Sequence, residues 1–83
     1  MPLFMDVHER VDGLTASAVA EAHKADLETQ GQYGVNYLQY WFNEDTGKVF
    51  CLVEAPDADA AITVHKEAHG LVADDITPVQ EGT

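Results

Sequence analysis

The sequence predicts one small α+β domain with the element order strand, helix, strand, strand, helix, strand. Extended stretches rich in alternating or β-branched apolar residues predict the strands, and apolar residues at helical spacing behind a capping residue predict the helices. The tight-turn sequence Glu44-Asp45-Thr46-Gly47 separates two of the predicted strands. At 83 residues with 46% hydrophobic content, the chain suits a single domain, residues 1–83, with one modest core.

The first strand and the first helix are predicted within residues 1–34. Leu3–His8 alternates in extended chain, so Phe4, Asp6 and His8 share one face. After a turn at residues 9–13, Thr15 is the expected N-cap of a helix that runs to about Gln30, where Gly31 or Gly34 can end it. We expect the stripe of this helix that faces the sheet to contain Ala16, Val19, Ala20, His23 and Leu27.

A β-hairpin is predicted next. Residues 35–43 are rich in aromatic and β-branched side chains, and their alternation separates Tyr37 and Trp41 from Tyr40 and Phe42. Lys48–Glu54 is apolar throughout its middle, as expected of a central strand. The turn at residues 44–47 should join the two strands.

The last third of the chain predicts a helix and a short strand. Asp57 can cap the helix and Asp59 adds favourable charge in its first turn. The expected core stripe contains Ala61, Val64, Ala68 and Leu71 or Val72, with His65 and His69 beside it, and Gly70 loosens or ends the helix. Residues 74–79 form the last strand, where Pro78 requires an edge position, and residues 80–83 are a frayed tail.

This order matches the split βαβ arrangement of the ferredoxin-like fold, a four-stranded antiparallel sheet of spatial order 4-1-3-2 with both helices on one face. The other face stays open. Tyr37 and Trp41, or Tyr40 and Phe42 in the opposite phase, would then be left in water. Burial of apolar surface contributes about 25 cal/mol per Å², so we expect a symmetric homodimer through this face.

Charge and cysteine content narrow the range of partners. The net charge of −11 repels nucleic acid and anionic lipid and attracts cations, so neither a nucleic acid nor a membrane is an expected partner. The single cysteine, Cys51, cannot form an intramolecular disulfide, and residues 1–6 lack the pattern of a secretory signal. With no apolar run of about 20 residues, a cytoplasmic location is expected.

The histidines predict a metal site. His65 and His69, four residues apart, lie on one face of a helix about 6 Å apart at Cβ, which suits a shared divalent cation. His8 ends the first strand at the rim that this helix approaches, with Asp6 two residues before it. Such nitrogen and oxygen donors suit Ni(II), Zn(II) or Cu(II) better than Ca(II) or Mg(II). If the face that carries Asp6 and His8 is the open one, two separate sites result. If it faces the helices, one shared site results.

Other residues have more than one interpretation. His23 is more often a core histidine than a ligand, and Cys51 on a central strand usually behaves as a small hydrophobe. Glu54 and Cys51 are weaker candidate ligands, and Glu9, Asp12, Asp74 and Asp75 are expected near the same rim as the histidines. No glycine-rich phosphate loop, Cys-x-x-Cys pair or G-x-S-x-G motif is present.

Three functional hypotheses follow. The leading one is a metal-binding protein without enzymatic activity, with His8, His65, His69 and Asp6 as ligands. The alternative is a dimeric enzyme, similar to ferredoxin-like monooxygenases or isomerases, that uses His23 or His65 as a general base in a pocket between sheet and helices. The third is an interaction module, which exposed and mutually distant histidines would favour.

Residues 1–8, 33–35, 40–41, 47–56 and 64–71 together resemble a group of small bacterial nickel-binding proteins within a broader family of unknown function. The segment Cys51-Leu52-Val53-Glu54-Ala55-Pro56 and the histidine-containing helix are the more specific parts of this similarity. The resemblance implies a ferredoxin-like fold, a homodimer and nickel binding with no established reaction. We therefore expect nickel, for buffering, storage or delivery. The choice of nickel over zinc comes from the resemblance alone.

Overall fold

The computed structural model describes residues 1–82. Within them the chain forms four strands, two α-helices and one 3-10 helix. The elements are β1 Leu3–His8, α1 Ala16–Thr29, the 3-10 helix Gln30–Tyr33, β2 Asn36–Asn43, β3 Lys48–Glu54, α2 Ala58–Ala68 and β4 Asp75–Val79. Residues 80–82 have no regular structure, and Thr83 of the predicted tail lies outside the described residues. No helix in this range combines the length and apolar character needed to cross a membrane.

The four strands form one antiparallel sheet with the order β2-β3-β1-β4. This order confirms the predicted ferredoxin-like arrangement. β4 is an edge strand. Proline has no N–H to donate to a neighbouring strand, so Pro78 is tolerated at this edge. Central pairing of β1 with β3 places Asp6 opposite Cys51 and His8 opposite Val49.

Both helices begin at the predicted caps. The Thr15 side chain accepts a hydrogen bond from the Ala18 N–H at 3.1 Å, and Asp57 accepts one from the Ala60 N–H at 2.8 Å. Each cap satisfies an N–H that the first turn of a helix leaves unpaired. Gly34, in the left-handed region at φ 67°, follows the 3-10 turn that the sequence did not predict.

The predicted core stripes need correction. On α1 the buried residues are Val19 and Asp26, whereas Leu27 is 45% exposed and Ala16 and Ala20 are exposed as well. The buried face is therefore rotated from the predicted one, because Asp26 turns inward to contact histidines of α2.

The end of α2 also differs from the prediction. α2 stops at Ala68, so Leu71 and Val72 lie beyond it and are 43% and 44% exposed. Gly70 adopts φ 79° just after the helix, a conformation that side chains with a Cβ rarely adopt. Neither Leu71 nor Val72 belongs to the core stripe.

A β-bulge in β2 changes which rings face the helices. The register with β3 shifts between Tyr37 and Gln39. Tyr37 is consequently 3% exposed, beneath the helices, while Trp41 is 44% exposed on the open face. The prediction that Tyr37 and Trp41 share the open face is wrong, since one extra residue reverses the alternation. Tyr40 lies on the same side as Tyr37, opposite buried Cys51.

Candidate metal centre

Strand β1 presents its polar face to the helices. Phe4, Asp6 and His8 are 8%, 1% and 6% exposed, and the residues between them are half-buried on the other face. Of the two arrangements that the sequence allowed, the structure therefore has the one in which Asp6 and His8 lie beneath the helices. They share one site with the histidines of α2.

His65 lies between two carboxylates. Its Nε2 is 3.0 Å from Asp6 Oδ2 on β1, and its Nδ1 is 2.8 Å from Asp26 Oδ1 on α1. The imidazole stacks on the Tyr37 ring, with 4.4 Å between centroids and 23° between planes. With 2% of its surface exposed, His65 is held from three elements at once.

The other two predicted histidines adjoin His65. Ring centroids lie 5.2 Å apart for His8 and His65, and 4.8 Å apart for His65 and His69. His69 Nε2 lies 3.0 Å from Asp26 Oδ1, the atom that also contacts His65. Three histidines thus converge in one buried cluster, which disfavours the interaction-module hypothesis.

The cluster contains two overlapping sets of possible ligands. In each set every residue offers one donor atom, and these atoms lie within 4.8 Å of one another. The first set is Asp6, His8, Cys51 and His65, and the second is Asp26, His65 and His69. His65 belongs to both sets. We call the first the four-donor set and the second the three-donor set.

Two buried atoms of the four-donor set lack hydrogen bonds among the described residues. They are Asp6 Oδ1 and His65 Nε2, because Nε2 is near Asp6 Oδ2 but poorly aligned with it. A buried polar atom without a well-aligned hydrogen bond is only partly compensated for the loss of water, and a cation bound between the two atoms would satisfy both. Two imidazoles, a carboxylate and a thiol are donors suited to nickel or zinc. The donor set therefore fits such an ion.

The charges around His65 favour its protonated form in the metal-free protein. Burial by itself lowers the pKa of His65, but Asp26 and Asp6 outweigh burial and raise the pKa to about 9. Burial favours the neutral form of Asp26, yet its close contacts with His65 and His69 bring its pKa below the usual value. An imidazolium between two carboxylates is the resulting state, in which a proton occupies the position of a metal.

Burial favours the neutral forms of His8, Cys51 and Tyr37. Burial lowers the pKa of His8, although Asp6 opposes the effect. Burial and the nearby Asp6 raise the pKa of the Cys51 thiol well above its usual range. Burial likewise raises the pKa of Tyr37, whose hydroxyl lies 3.3 Å from Asp6 Oδ2 and 3.0 Å from the Ala61 carbonyl oxygen. Cys51 must lose its proton before it can bind a metal as thiolate.

Several predicted candidates lie outside both ligand sets, although Asp12 and Asp74 line a surface pocket together with His8, at the rim where they were expected. Glu54 is at the far end of β3, opposite Leu3, whereas His8 pairs at the other end with Val49. Asp74 accepts a hydrogen bond from the exposed Glu9 N–H at 2.7 Å. His23 belongs to neither ligand set, and its ring contacts Tyr40 at 4.7 Å between centroids.

Asp26 is the site residue that the sequence reasoning missed. It is 3% exposed in the middle of the cluster. The available signal was its spacing, because Asp26 follows Val19 by seven residues and so lies on the same face of α1. A carboxylate on the buried face of a helix, in a chain with a buried histidine cluster, indicates a partner for one of those histidines.

A cavity of about 60 Å³ adjoins the cluster. It lies between α1, the sheet and the end of α2, and its lining combines aliphatic side chains with all four histidines of the chain. Asp26 and Cys51 also reach it. The cluster therefore has a largely apolar space beside it.

Comparisons with known proteins give a family match and a structural match. The sequence model of a family described as "Nickel responsive protein SCO4226-like" matches residues 4–79. A solved structure described as "Crystal structure analysis of SCO4226 from Streptomyces coelicolor A3(2)" is 37% identical, with a TM-score of 0.90, over 98% of this chain and 99% of that chain. No curated protein matches the chain.

Proposed function

Because the chain belongs to the SCO4226-like nickel responsive protein family, we propose that it is a nickel-binding protein. The proposed ligands are Asp6, His8, Cys51 and His65, the four-donor set. Other divalent transition metals of similar preference, such as zinc, would occupy the same donors. Nickel is favoured over them by the family description.

The observation that carries this proposal is a pair of buried atoms without a well-aligned hydrogen bond, Asp6 Oδ1 and His65 Nε2. Both belong to the four-donor set, and a bound cation would satisfy both. Asp26 then orients the His65 ring, since it accepts a hydrogen bond from His65 Nδ1–H at 2.8 Å. A carboxylate on the second nitrogen of a metal-binding histidine fixes the tautomer and orients the ring.

His69 distinguishes two binding modes. If Nε2 of His65 binds the metal, Nδ1–H remains bonded to Asp26, and His69 contacts that carboxylate without being a ligand. If Nδ1 binds the metal, the three-donor set applies and His69 becomes a ligand, as the sequence predicted. A neutral imidazole offers only one bare nitrogen at a time, so the two modes exclude each other and one ion per chain is expected. We favour the first mode because it offers more donors.

Titration of untagged, metal-free protein with Ni(II), followed by calorimetry and d-d absorption, tests the proposal. The variants His8→Ala and His65→Ala should each bind nickel at least tenfold more weakly, while His69→Ala should retain most of the affinity. His23→Ala is the matched control, because it removes a histidine of the same cavity that belongs to neither set. Equal affinity for His65→Ala and the wild type would refute the proposed site.

The proposed role is nickel buffering, storage or delivery by a homodimer in the cytoplasm. The open face of the sheet supports the dimer, because Trp41 is 44% exposed there in the company of half-buried Phe50 and Leu52. A second copy on this face would remove that apolar surface from water. The helix face with the metal centre would remain on the outside of such a dimer.

An enzyme is the second candidate, favoured by the apolar cavity beside the histidines. His65 suits the role of general base poorly, because a pKa raised to about 9 keeps it protonated at neutral pH. His23, which also lines the cavity, is then the better candidate base. Elemental analysis of untagged protein separates the two functions. Nickel or zinc near one ion per chain supports the metal centre, and metal-free protein supports the enzyme.

A further inference from the structure

A surface pocket lies outside the cavity that adjoins the metal centre. It has a volume of about 540 Å³ and is lined by residues 8, 10–12, 70–72 and 74. Within residues 1–82, three side chains line both this surface pocket and the inner cavity of about 60 Å³: His8, Val11 and Leu71. These three side chains therefore separate the two spaces.

His8 connects the surface pocket to the metal centre. It is 6% exposed and belongs to the four-donor set. Cys51 and His65, two other members of that set, line the inner cavity and do not line the surface pocket. A cation in the surface pocket therefore meets His8 before it meets Cys51 or His65.

Val11 and Leu71 are held differently. The Val11 N–H donates to the Gly47 carbonyl oxygen at 2.8 Å, and a Cβ on Gly47 would lie 3.0 Å from the Val11 carbonyl oxygen, so this loop packs closely on the hairpin turn. Leu71 is 43% exposed, and its backbone N–H donates to His69 Nδ1 at 3.1 Å. Rotation of the Leu71 side chain about its Cα–Cβ bond breaks no hydrogen bond. Leu71 is thus the separating residue that can turn aside most easily.

The charges of the surface pocket suit a cation. Asp12 and Asp74 line it together with Arg10, whose Nε lies 3.2 Å from Asp12 Oδ1. Two carboxylates against one guanidinium leave the pocket negative, in a chain of net charge −11. A field of this sign raises the local concentration of cations and the rate at which they associate.

We propose that the surface pocket is the entry port of the metal centre and that Leu71 is its gate. A divalent cation enters past Asp12 and Asp74, contacts His8, and reaches Cys51 and His65 when the Leu71 side chain turns aside. This inference rests on the proposed metal centre and goes beyond it, because it assigns the route of the ion. A gate that contacts the ion only in transit changes the rates of entry and exit by the same factor and leaves the affinity unchanged.

Stopped-flow absorption tests the gate, with untagged metal-free protein mixed with Co(II) and followed at the d-d bands. Co(II) suits the same donors as nickel and exchanges its bound water faster, so the rate reports entry into the protein. Leu71→Ala should raise both the association rate and the rate of Co(II) removal by excess EDTA at least about threefold, with less than about a twofold change in affinity. Leu27→Ala is the matched control, because Leu27 is 45% exposed on α1 and lines neither space.

A charge variant tests the port. Asp12→Asn removes a carboxylate that is 90% exposed and leaves Arg10 without its ion-pair partner. Co(II) association should slow about two- to threefold at low ionic strength, and the difference should shrink as salt is added. Glu28→Gln changes the total charge equally at an exposed position of α1 and should associate as the wild type does.

Two results would overturn this proposal. Equal rates for Leu71→Ala and Leu27→Ala would refute the gate, and equal slowing by Asp12→Asn and Glu28→Gln would refute the port. Equilibrium titration of the wild type with Co(II) and Ni(II) is a separate measurement. If neither ion binds, the metal centre fails and the port with it, whereas normal binding with unchanged rates in the variants refutes the port alone.

Discussion

One oxygen of Asp26 contacts two histidines, one on α2 and one immediately after its end: Oδ1 lies 2.8 Å from His65 Nδ1 and 3.0 Å from His69 Nε2. This relationship joins α1 to α2 inside the protein. It also decides which nitrogen of His65 is available, because the nitrogen that donates to Asp26 cannot bind a metal. The carboxylate thereby directs Nε2 of His65 toward Asp6, His8 and Cys51.

Asp26→Asn should weaken nickel binding by about 10- to 100-fold, as expected for loss of a carboxylate behind a metal-binding histidine. The four proposed ligands remain in place, so the coordination spectrum should change little. Competition titration with a chelator measures the affinity. Glu28→Gln removes an equal charge from an exposed position of the same helix and is the control. If both variants lose the same affinity, general charge explains the effect and the specific role of Asp26 is wrong.

Metal-free protein should lose stability as pH rises from 6.5 to 9. Below pH 6.5 His65 is protonated in both folded and unfolded protein, so the stabilising contacts with Asp6 and Asp26 are fully present. Above the unfolded value of 6.5 only folded His65 keeps its proton, until its raised pKa of about 9 is passed. The free energy of unfolding should fall by at most about 3 kcal/mol across this range.

Urea denaturation at several pH values measures this loss. His65→Gln should be less stable than the wild type at pH 6 and should show a smaller dependence on pH, since it cannot be protonated. His23→Gln is the control, because it removes a histidine outside the ion-pair cluster. A wild-type protein whose stability rises between pH 6.5 and 9 would contradict the proposed imidazolium.

Nickel affinity should increase with pH over the same range. In the metal-free protein a proton occupies His65, and a metal must displace it before Nε2 becomes a ligand. Each proton released makes the affinity rise about tenfold per pH unit below the pKa of the group that loses it. Titrations at pH 6.5, 7.5 and 8.5 with a non-coordinating buffer give the slope. An affinity independent of pH would show that His65 is not a ligand.

The sequence predicted the fold well because its signals are local. The caps Thr15 and Asp57 and the turn at residues 44–47 fix the ends of elements from neighbouring residues alone. The bulge in β2 was not predictable in this way, since it results from pairing with β3 and moves Tyr37 to the helix side. The length of α2 was overestimated because apolar residues at Leu71 and Val72 continue the pattern after the helix has ended.

The site was predictable in part for the same reason. His65 and His69 are related by local helical spacing, and His8 is related to them by the predicted topology. Asp26 contributes through a contact between two helices, 39 positions away from His65. No local pattern contains such a contact. An acidic residue at a core-facing position of a helix departs from the usual apolar pattern, and that departure indicates a contact of this kind.

Trp41→Glu should convert a dimer to a monomer. Trp41 is the single tryptophan of the chain and is 44% exposed on the open face of the sheet, where a charge would be buried without a partner in the dimer. Sedimentation velocity should give a dimer for the wild type and a monomer for the variant. Gln32→Glu adds a negative charge on the exposed 3-10 helix, away from that face, and should stay dimeric. A monomeric wild type would refute the dimer.

Cys51 provides the most direct spectroscopic test of the metal centre. Burial and Asp6 raise the pKa of its thiol, so the thiol remains protonated until a metal displaces the proton. If Cys51 is a ligand, the nickel complex should show a thiolate-to-nickel charge-transfer band in the near ultraviolet, and binding should release about one more proton than in Cys51→Ser.

Absorption spectroscopy, together with calorimetry in buffers of different ionisation enthalpy, measures both quantities. Cys51→Ser should lose the band, release one proton fewer and bind nickel more weakly, while the d-d bands from the imidazoles and the carboxylate persist. Cys51→Ala checks that the hydroxyl of serine does not replace the sulfur. If the wild type lacks the charge-transfer band and Cys51→Ser binds equally well, Cys51 is not a ligand, and the ion lies either among Asp6, His8 and His65 or in the three-donor set. The effect of His69→Ala on affinity then becomes the decisive measurement.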